Sequence, residues 1–166
     1  MLWYDIEYEE VITLRKKYYK ENEKYKMISS SILDFKWLDS VEDSANTLVI
    51  MEGVSMYLDE EEIKELILKL STKFKNTHLI FDAYSKKGVK LSKYKNPINK
   101  YNAKVKYGLD NKEEFLGLNN RLKHIDTHLI KKEDINLPVI TKLIFNNLYC
   151  GKTSESLYKI YEFKIV

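Results

Sequence analysis

The chain has 166 residues, with 28 basic and 25 acidic side chains, a formal net charge of +3 and 44% hydrophobic residues. This composition is that of a globular protein and excludes a disordered, collagen-like or coiled-coil chain. The length suits a single domain over 1–166. No apolar run approaches the roughly 20 residues that a membrane-spanning helix needs, so no membrane partner is expected. Cys150 is the one cysteine, so no internal disulfide forms and a cytoplasmic setting is expected.

Strands and helices alternate along the first half of the sequence. Val11, Leu14 and Tyr18 have helical spacing, and Asp59 with Glu62 forms a capping-box pattern in front of an apolar helical stripe. The continuous apolar run 48–51 is typical of a strand buried on both faces of a parallel sheet. The predicted elements are strands over 2–6, 26–30, 46–51 and 77–83, helices over 9–20 and 59–74, and a short element near 37–41.

The second half predicts fewer elements. Residues 122–129 read as a strand, and residues 156–166 alternate over a longer stretch. Pro138 and a turn at 150–152 lie between them, so the two strands are expected to pair antiparallel at one edge of the sheet. Together with the first half, this order predicts an α/β fold with a doubly wound, mostly parallel sheet and an antiparallel C-terminal edge.

An acidic residue follows or ends each of the first four predicted strands. These residues are Glu7, Asp34, Glu52 and Asp82. In a doubly wound sheet the ligand binds outside the carboxyl ends of the strands. Single acids there are commonly helix caps or turn formers, but four in succession favour a cleft for a ligand rich in hydroxyl and amino groups, to which carboxylates bind through hydrogen bonds.

Five stretches of the sequence resemble one enzyme family. Residues 3–15, W-Y-D-I-E-Y-E-E-V-I-T-L-R, resemble the W-Y-x-V-D-L-P-E-V-I-x-L-R segment of the leucine carboxyl methyltransferase superfamily, in its bacterial O-methyltransferase branch of polyketide biosynthesis. Residues 31–39, S-I-L-D-F-K-W-L-D, are similar to its S-L-L-D-x-x-W-L-D. Residues 51–58, M-E-G-V-S-M-Y-L, are similar to its A-E-G-L-L-M-Y-L, the most specific of these motifs. Residues 81–83 and 107–110 also fit, so the resemblance covers about residues 2–130.

The resemblance implies a Rossmann-like class I methyltransferase fold that binds S-adenosylmethionine and methylates an oxygen of a small molecule. Glu7 matches the acid that holds the ribose hydroxyls, although the family's usual residue is aspartate. Asp34 lies in the segment that contacts the adenine, where Ser31 or Ile32 is an alternative. Glu52, with the adjacent Gly53, matches the motif near the amino-acid end of the cofactor.

The resemblance also implies where the substrate enters. Tyr57 lies beyond the cofactor motif, near the substrate entrance, and Tyr84 opens a region that covers the active site in the family. No catalytic residue is assigned. Methyl transfer from a sulfonium depends mainly on positioning and desolvation, and a carboxylate acceptor needs no base.

The family's N-terminal portion, with the first strand and the glycine-rich loop, has no counterpart in this sequence. The missing strand would lie in the middle of the sheet, between the strands at 2–6 and 46–51. An empty central ladder leaves backbone groups unpaired. Three outcomes are therefore expected: a second copy supplies the pairing in a homodimer, a complementing N-terminal chain supplies the missing half, or the two strands close up directly.

Two other functions compete with the enzyme. The chain would serve as a non-catalytic module that acts as a subunit or dimerisation partner. Residues 84–109, which hold eight lysines and no acid, would bind nucleic acid, although a solvated lysine-rich surface is the favoured interpretation. The three histidines, His78, His124 and His128, and Cys150 are expected to have no catalytic role, and no metal site is expected.

Overall fold

The computed structural model describes residues 1–92, 103–129 and 156–166. Their elements follow the predicted order closely. They are β1 (Trp3–Glu7), α1 (Glu9–Arg15), β2 (Tyr25–Ser29), a 3₁₀ helix (Phe35–Ser40), β3 (Thr47–Met51), a second 3₁₀ helix (Ser55–Tyr57), α2 (Glu60–Lys73), β4 (Thr77–Tyr84), α3 (Lys86–Ser92), α4 (Lys112–Leu116), β5 (Leu122–His128) and β6 (Tyr158–Ile165).

The strands of the described residues form two sheets. β1 and β2 pair in parallel, and the larger sheet has the order β3-β4-β6-β5. β3 and β4 are parallel, while β6 runs antiparallel to both β4 and β5. The predicted antiparallel C-terminal pair is therefore confirmed, with β5 rather than β6 at the edge. The predicted turn at 150–152 and Pro138 lie outside the described residues.

The gap falls where the sequence predicts a missing strand. Within the described residues β1 pairs only with β2 and β3 only with β4, so the two strands do not close up directly. The larger sheet has a packed core on one face. The cluster includes Phe81, Phe115 and Phe163, whose rings are 4.5–5.9 Å apart, together with the buried side of α2.

Helix α2 has the predicted capping box. The Glu62 N–H donates to Asp59 Oδ1 at 2.9 Å, and the Asp59 N–H donates to Glu62 Oε2 at 2.6 Å. These bonds satisfy donors that the first turn leaves unpaired. The apolar stripe is then fixed against the sheet, with Leu66 and Leu70 at most 2% exposed.

Two sequence expectations are wrong in detail. The helix predicted over 9–20 ends at Arg15, because Tyr18 and Tyr19, 76% and 61% exposed, have no core to pack against. The strand at β3 is not buried on both faces. Val49 packs against the core, but Leu48 and Ile50 on the other face are 52% and 50% exposed.

Asp5 ties β1 to α1 and β2. Its carboxylate accepts hydrogen bonds from Arg15 Nη1 at 2.7 Å, from Trp3 Nε1 at 2.8 Å and from the Tyr25 hydroxyl. Burial acts to raise the pKa of the Asp5 carboxyl, but the bonds from Tyr25, Trp3 and Arg15 outweigh it and hold that pKa below its ordinary value. The smaller sheet therefore depends on an ionised Asp5.

We predict that Asp5→Asn lowers the free energy of unfolding by about 2 kcal/mol at pH 7, because a charge-assisted network is lost. A carboxyl whose folded pKa is depressed stabilises above its unfolded pKa, about 3.9, and that stability is lost as the pH falls through the folded pKa. The gap between wild type and variant, measured by urea unfolding, should therefore shrink below about pH 4. Asp39→Asn, at an exposed position, is the control and should change little. An Asp5→Asn gap that stays constant down to pH 2 would contradict the assignment.

Candidate functional site

The turn after β3 is held in an unusual backbone conformation. Gly53 has φ +67°, a left-handed value that a side chain makes costly, and its added Cβ would meet nothing within 4 Å. Glycine is therefore required here by the backbone rather than by lack of space. The preceding Glu52 is exposed, and no hydrogen bond or ion pair engages its side chain in the part of the chain that the structure describes.

A buried carboxylate fixes this turn. Asp82 is 6% exposed, and its Oδ1 accepts a hydrogen bond from the Gly53 N–H at 2.8 Å. Its Oδ2 accepts one from the Tyr158 hydroxyl at 2.6 Å, and its backbone oxygen accepts one from the Ser55 hydroxyl. Asp82, which the sequence places on the acidic rim, thus lies inside the fold and orients the Glu52–Gly53 turn.

Tyr158 belongs to β6, so the turn after β3 is held from the last strand of the chain. Burial raises the pKa of Tyr158 well above its ordinary value, and the hydrogen bond to Asp82 raises it further. The phenol therefore keeps its proton and remains a donor to Asp82. Its ring also packs edge-on against that of Tyr84, with 5.4 Å between the ring centroids.

The two predicted substrate residues follow the two residues that form this contact: Tyr57 comes after Gly53 in the sequence, and Tyr84 comes after Asp82. Tyr57 ends the second 3₁₀ helix and is half-buried, and Tyr84 ends β4 and is also half-buried. The backbone oxygen of Tyr84 accepts a hydrogen bond from the Leu109 N–H at 2.8 Å. The backbone oxygen of Met56 accepts two further hydrogen bonds, from the N–H groups of Lys106 and Tyr107 at 2.7 and 3.1 Å. Residues 106–109 therefore run alongside the carboxyl end of the larger sheet.

The other two predicted cofactor residues follow the smaller sheet. Glu7 ends β1; its side chain is 41% exposed and lies 3.8 Å from Arg15 Nη2. Asp34 is exposed and caps the first 3₁₀ helix, with a 3.4 Å bond from the Lys36 N–H. Ser31, the alternative to Asp34, accepts a hydrogen bond from the Leu33 N–H at 3.2 Å. Ile32, the other alternative, packs against the core cluster.

The structure thus gathers the predicted residues in two groups. Glu52, Gly53 and Tyr84 are tied together through Asp82 and Tyr158, while Glu7 and Asp34 follow β1 and β2. Glu7 and Glu52 both come at the carboxyl ends of parallel strands, although no hydrogen bond or ion pair between described residues joins them. Sequence reasoning did not identify Tyr158. The alternating pattern of β6 is the signal that could have done so, because every second side chain of a strand lies on the same face of the sheet as those of its neighbour β4.

The remaining candidates have structural partners. His78 and His128 each lie 3.5 Å from a Glu162 oxygen, and the ring of His124 packs edge-on against Phe163. Over 1–92, 103–129 and 156–166, no three His, Cys, Asp or Glu residues are placed to hold a metal ion. Cys150 lies outside the described residues.

The lysine-rich region 84–109 is described only up to residue 92 and from residue 103 onward. Two of its lysines make ion pairs within the chain. Lys86 lies 3.0 Å from Glu114 and Lys106 lies 3.3 Å from Glu62. These two ammonium groups are therefore paired with carboxylates that lie outside the region. Among the helices that the structure describes, none has both the length and the apolar character to cross a membrane.

No protein-family model matches the chain. A curated relative does: over 109 residues the chain is 29% identical to the tetracenomycin polyketide synthesis O-methyltransferase TcmP of Streptomyces glaucescens. The match spans 66% of this chain and 40% of that enzyme. It confirms the predicted resemblance to bacterial O-methyltransferases of polyketide biosynthesis.

Solved structures show the fold. A putative methyltransferase from Thermobifida fusca has a TM-score of 0.67 at 9% identity, covering 98% of this chain and 62% of that chain. A DUF574 family protein from Streptomyces avermitilis has a TM-score of 0.65 at 10% identity, with 98% and 64% coverage. PKMT2 from Rickettsia typhi, solved in complex with AdoHcy, has a TM-score of 0.58 at 11% identity, with 98% and 43% coverage. The predicted methyltransferase fold, mostly parallel with an antiparallel edge, is confirmed, and the chain spans under two thirds of each of these proteins.

We predict that Asp82→Ala lowers the free energy of unfolding by about 3 kcal/mol, because the Gly53 N–H and the Tyr158 hydroxyl lose the buried carboxylate to which they donate. Tyr158→Phe should cost about 1.5 kcal/mol. Because the two residues share one bond, the double variant should cost less than the sum of the single variants in a urea-unfolding cycle. Tyr4→Phe, at a half-buried tyrosine of β1, is the control and should add to Asp82→Ala without coupling. Strict additivity for Asp82 and Tyr158 would show that the bond does not hold the turn.

Proposed function

We propose that this chain forms the cofactor-binding part of an S-adenosylmethionine-dependent O-methyltransferase that methylates a hydroxyl or carboxylate of a small molecule. The observation that carries the proposal is the Glu52–Gly53 turn. It has a left-handed glycine, an exposed carboxylate that no described residue engages and a buried acid that holds it, within a methyltransferase fold. The sequence match to an O-methyltransferase of polyketide synthesis supports the choice of oxygen as acceptor.

The residues present fit the adenosyl part of this cofactor. Glu7 offers a half-exposed carboxylate at the end of β1, which suits the two hydroxyls of a ribose. The exposed Glu52 carboxylate suits an ammonium group, and the open space beside Gly53 leaves room for a ligand. When bound, S-adenosylmethionine supplies an activated methyl group on a sulfonium with a good leaving group.

The chain's own residues would position the cofactor and the acceptor rather than activate either of them chemically. Glu7 and Glu52 bind the two ends of the ligand, and the Asp82–Tyr158 pair keeps the turn from moving. Tyr57 and Tyr84 shape the side at which the acceptor enters and exclude water from it. No proton needs to move when the acceptor is a carboxylate, so methyl transfer to such an acceptor requires no dedicated base.

The partners of this site are part of the proposal. A small molecule is the methyl acceptor, and nucleic acid is not proposed. Binding is expected to be incomplete in the isolated chain, so a homodimer or a complementing N-terminal chain completes the site. The single cysteine in the sequence supports a reducing, cytoplasmic setting for the enzyme.

The proposal is tested by ligand titration followed by NMR. S-adenosylmethionine and S-adenosylhomocysteine should bind the chain weakly, with a dissociation constant on the order of 1 mM. The amide signals of Glu7, Glu52 and Gly53 should shift together. Glu7→Gln and Glu52→Gln should each weaken binding about tenfold, since each removes one charge-assisted contact.

Glu61→Gln is the matched control, because the Glu61 side chain is 82% exposed on α2, away from the turn. It should leave the titration unchanged. Shifts confined to other residues, or equal binding by the Glu7, Glu52 and Glu61 variants, would overturn the proposed cofactor site.

A further inference from the structure

A polar cavity of about 500 Å³ lies apart from the candidate cofactor residues. Asp59 and Glu60 line it from the start of α2, Lys86 from α3, Glu114 from α4, and residues 106–108 from the segment before α4. None of the described residues that line it is a Val, Leu, Ile, Met or Phe. The volume is that of a small-molecule site, and the lining favours a polar occupant over an apolar one.

The wall of the cavity at residues 106–108 is fixed in place. A Cβ added to Gly108 would lie 2.9 Å from the backbone N of Lys86 and 2.8 Å from Cγ2 of Val89, so this segment packs directly on α3. The Lys86 N–H also donates to Asp110 Oδ1 at 2.8 Å. Since the backbone bonds to Met56 and Tyr84 hold the same segment from the other side, the cavity is preformed.

The charged groups around the cavity are already paired within the chain. Lys86 and Lys106 have the carboxylate partners described above. Glu60 Oε1 lies 3.1 Å from Lys64 Nζ, and Asp59 caps α2. A charged ligand would have to compete with one of these pairs. A neutral ligand can instead bind to the carboxylate lone pairs and ammonium N–H groups that the pairs leave unused.

Tyr107 brings a polar group without a partner to this cavity. The residue is 8% exposed, and its hydroxyl has no hydrogen-bond partner among residues 1–92, 103–129 and 156–166. Burial raises the pKa of the phenol well above its ordinary value, and the carboxylates of Glu60 and Glu114 raise it further. Both acids line the cavity, so the phenol oxygen lies on the cavity side and keeps its proton. A buried hydroxyl of this kind costs free energy until it finds a partner.

We propose that this cavity is a second ligand site, which binds a neutral small molecule that carries several hydroxyl groups. The Tyr107 hydroxyl donates to one ligand oxygen. Glu60 and Glu114 accept hydrogen bonds from ligand hydroxyls, and Lys86 and Lys106 donate to further ligand oxygens. The site shares no residue with the proposed cofactor site, so each can be tested without the other.

The first test asks whether the Tyr107 hydroxyl has a structural role. Tyr107→Phe removes a hydroxyl that has no partner in the described chain, so it should not lower the free energy of unfolding without ligand. Tyr161→Phe is the matched comparison, because the Tyr161 hydroxyl is buried and donates to the Leu109 oxygen at 3.3 Å. It should lower the free energy of unfolding measured in urea. Equal destabilisation by the two variants would mean that the chain itself uses the Tyr107 hydroxyl, and the proposal would be wrong.

The second test is a titration followed by NMR, with myo-inositol as the neutral probe. The amide signals of Lys106, Tyr107 and Gly108 should shift with a saturable dependence on its concentration. Tyr107→Phe should weaken binding about fivefold, the effect of one hydrogen bond. Tyr18→Phe, at a 76% exposed tyrosine after α1, is the control and should bind as the wild type does.

Two charged probes decide the chemical class of the ligand. Acetate and methylammonium, used in the same titration, should bind more weakly than myo-inositol. Tighter binding by either ion would show a site for a charged ligand. No saturable shift with myo-inositol, or equal affinity in the wild type and Tyr107→Phe, would show adventitious binding only. Each of these three results overturns the proposal.

Discussion

A parallel strand at the centre of a sheet needs a partner on each side, because its backbone donors and acceptors have no other means of being satisfied away from water. β1 and β3 meet this requirement on one side only in the described residues. The other features of the molecule follow from this constraint. The apolar residues Leu48 and Ile50 remain exposed, the candidate site residues fall into two groups, and the proposed cofactor site has its carboxylates on two separate sheets.

The larger sheet tolerates the interruption because its stability comes from elsewhere. β6 pairs along its whole length with β4, and the rings of Phe81, Phe115 and Phe163 fill the face beneath α2. Antiparallel pairing and aromatic packing of this kind do not depend on β1 or β2. The smaller sheet has a different support, the Asp5 network, in which one carboxylate holds Arg15, Trp3 and Tyr25. The smaller sheet thus adds an ionic network to the apolar contacts that Ile6 and Ile28 make with the core cluster.

Much of the fold could be predicted from local pattern. The apolar run at β3, the capping box at Asp59 and the alternation of β6 identify their elements because each depends on neighbours in sequence. The length of α1 could not be predicted in this way, because the helix ends where the following residues no longer pack against the core. The exposure of Leu48 and Ile50 could not be predicted either. An apolar run shows that a strand has apolar side chains on both faces, whereas their burial depends on what other parts of the chain pack against them.

The candidate site also combines features that the local sequence predicts with features that depend on distant contacts. Gly53 and the adjacent acid are visible in the sequence as a motif, but the role of Asp82 depends on a contact with Tyr158, which is 76 residues away. Because Tyr158 belongs to the last strand, the turn that would bind the ligand keeps its conformation only while β6 is docked on β4. If the turn binds the ligand as proposed, ligand binding and the docking of β6 are coupled: whatever stabilises the turn stabilises the antiparallel edge, and loosening that edge weakens the turn.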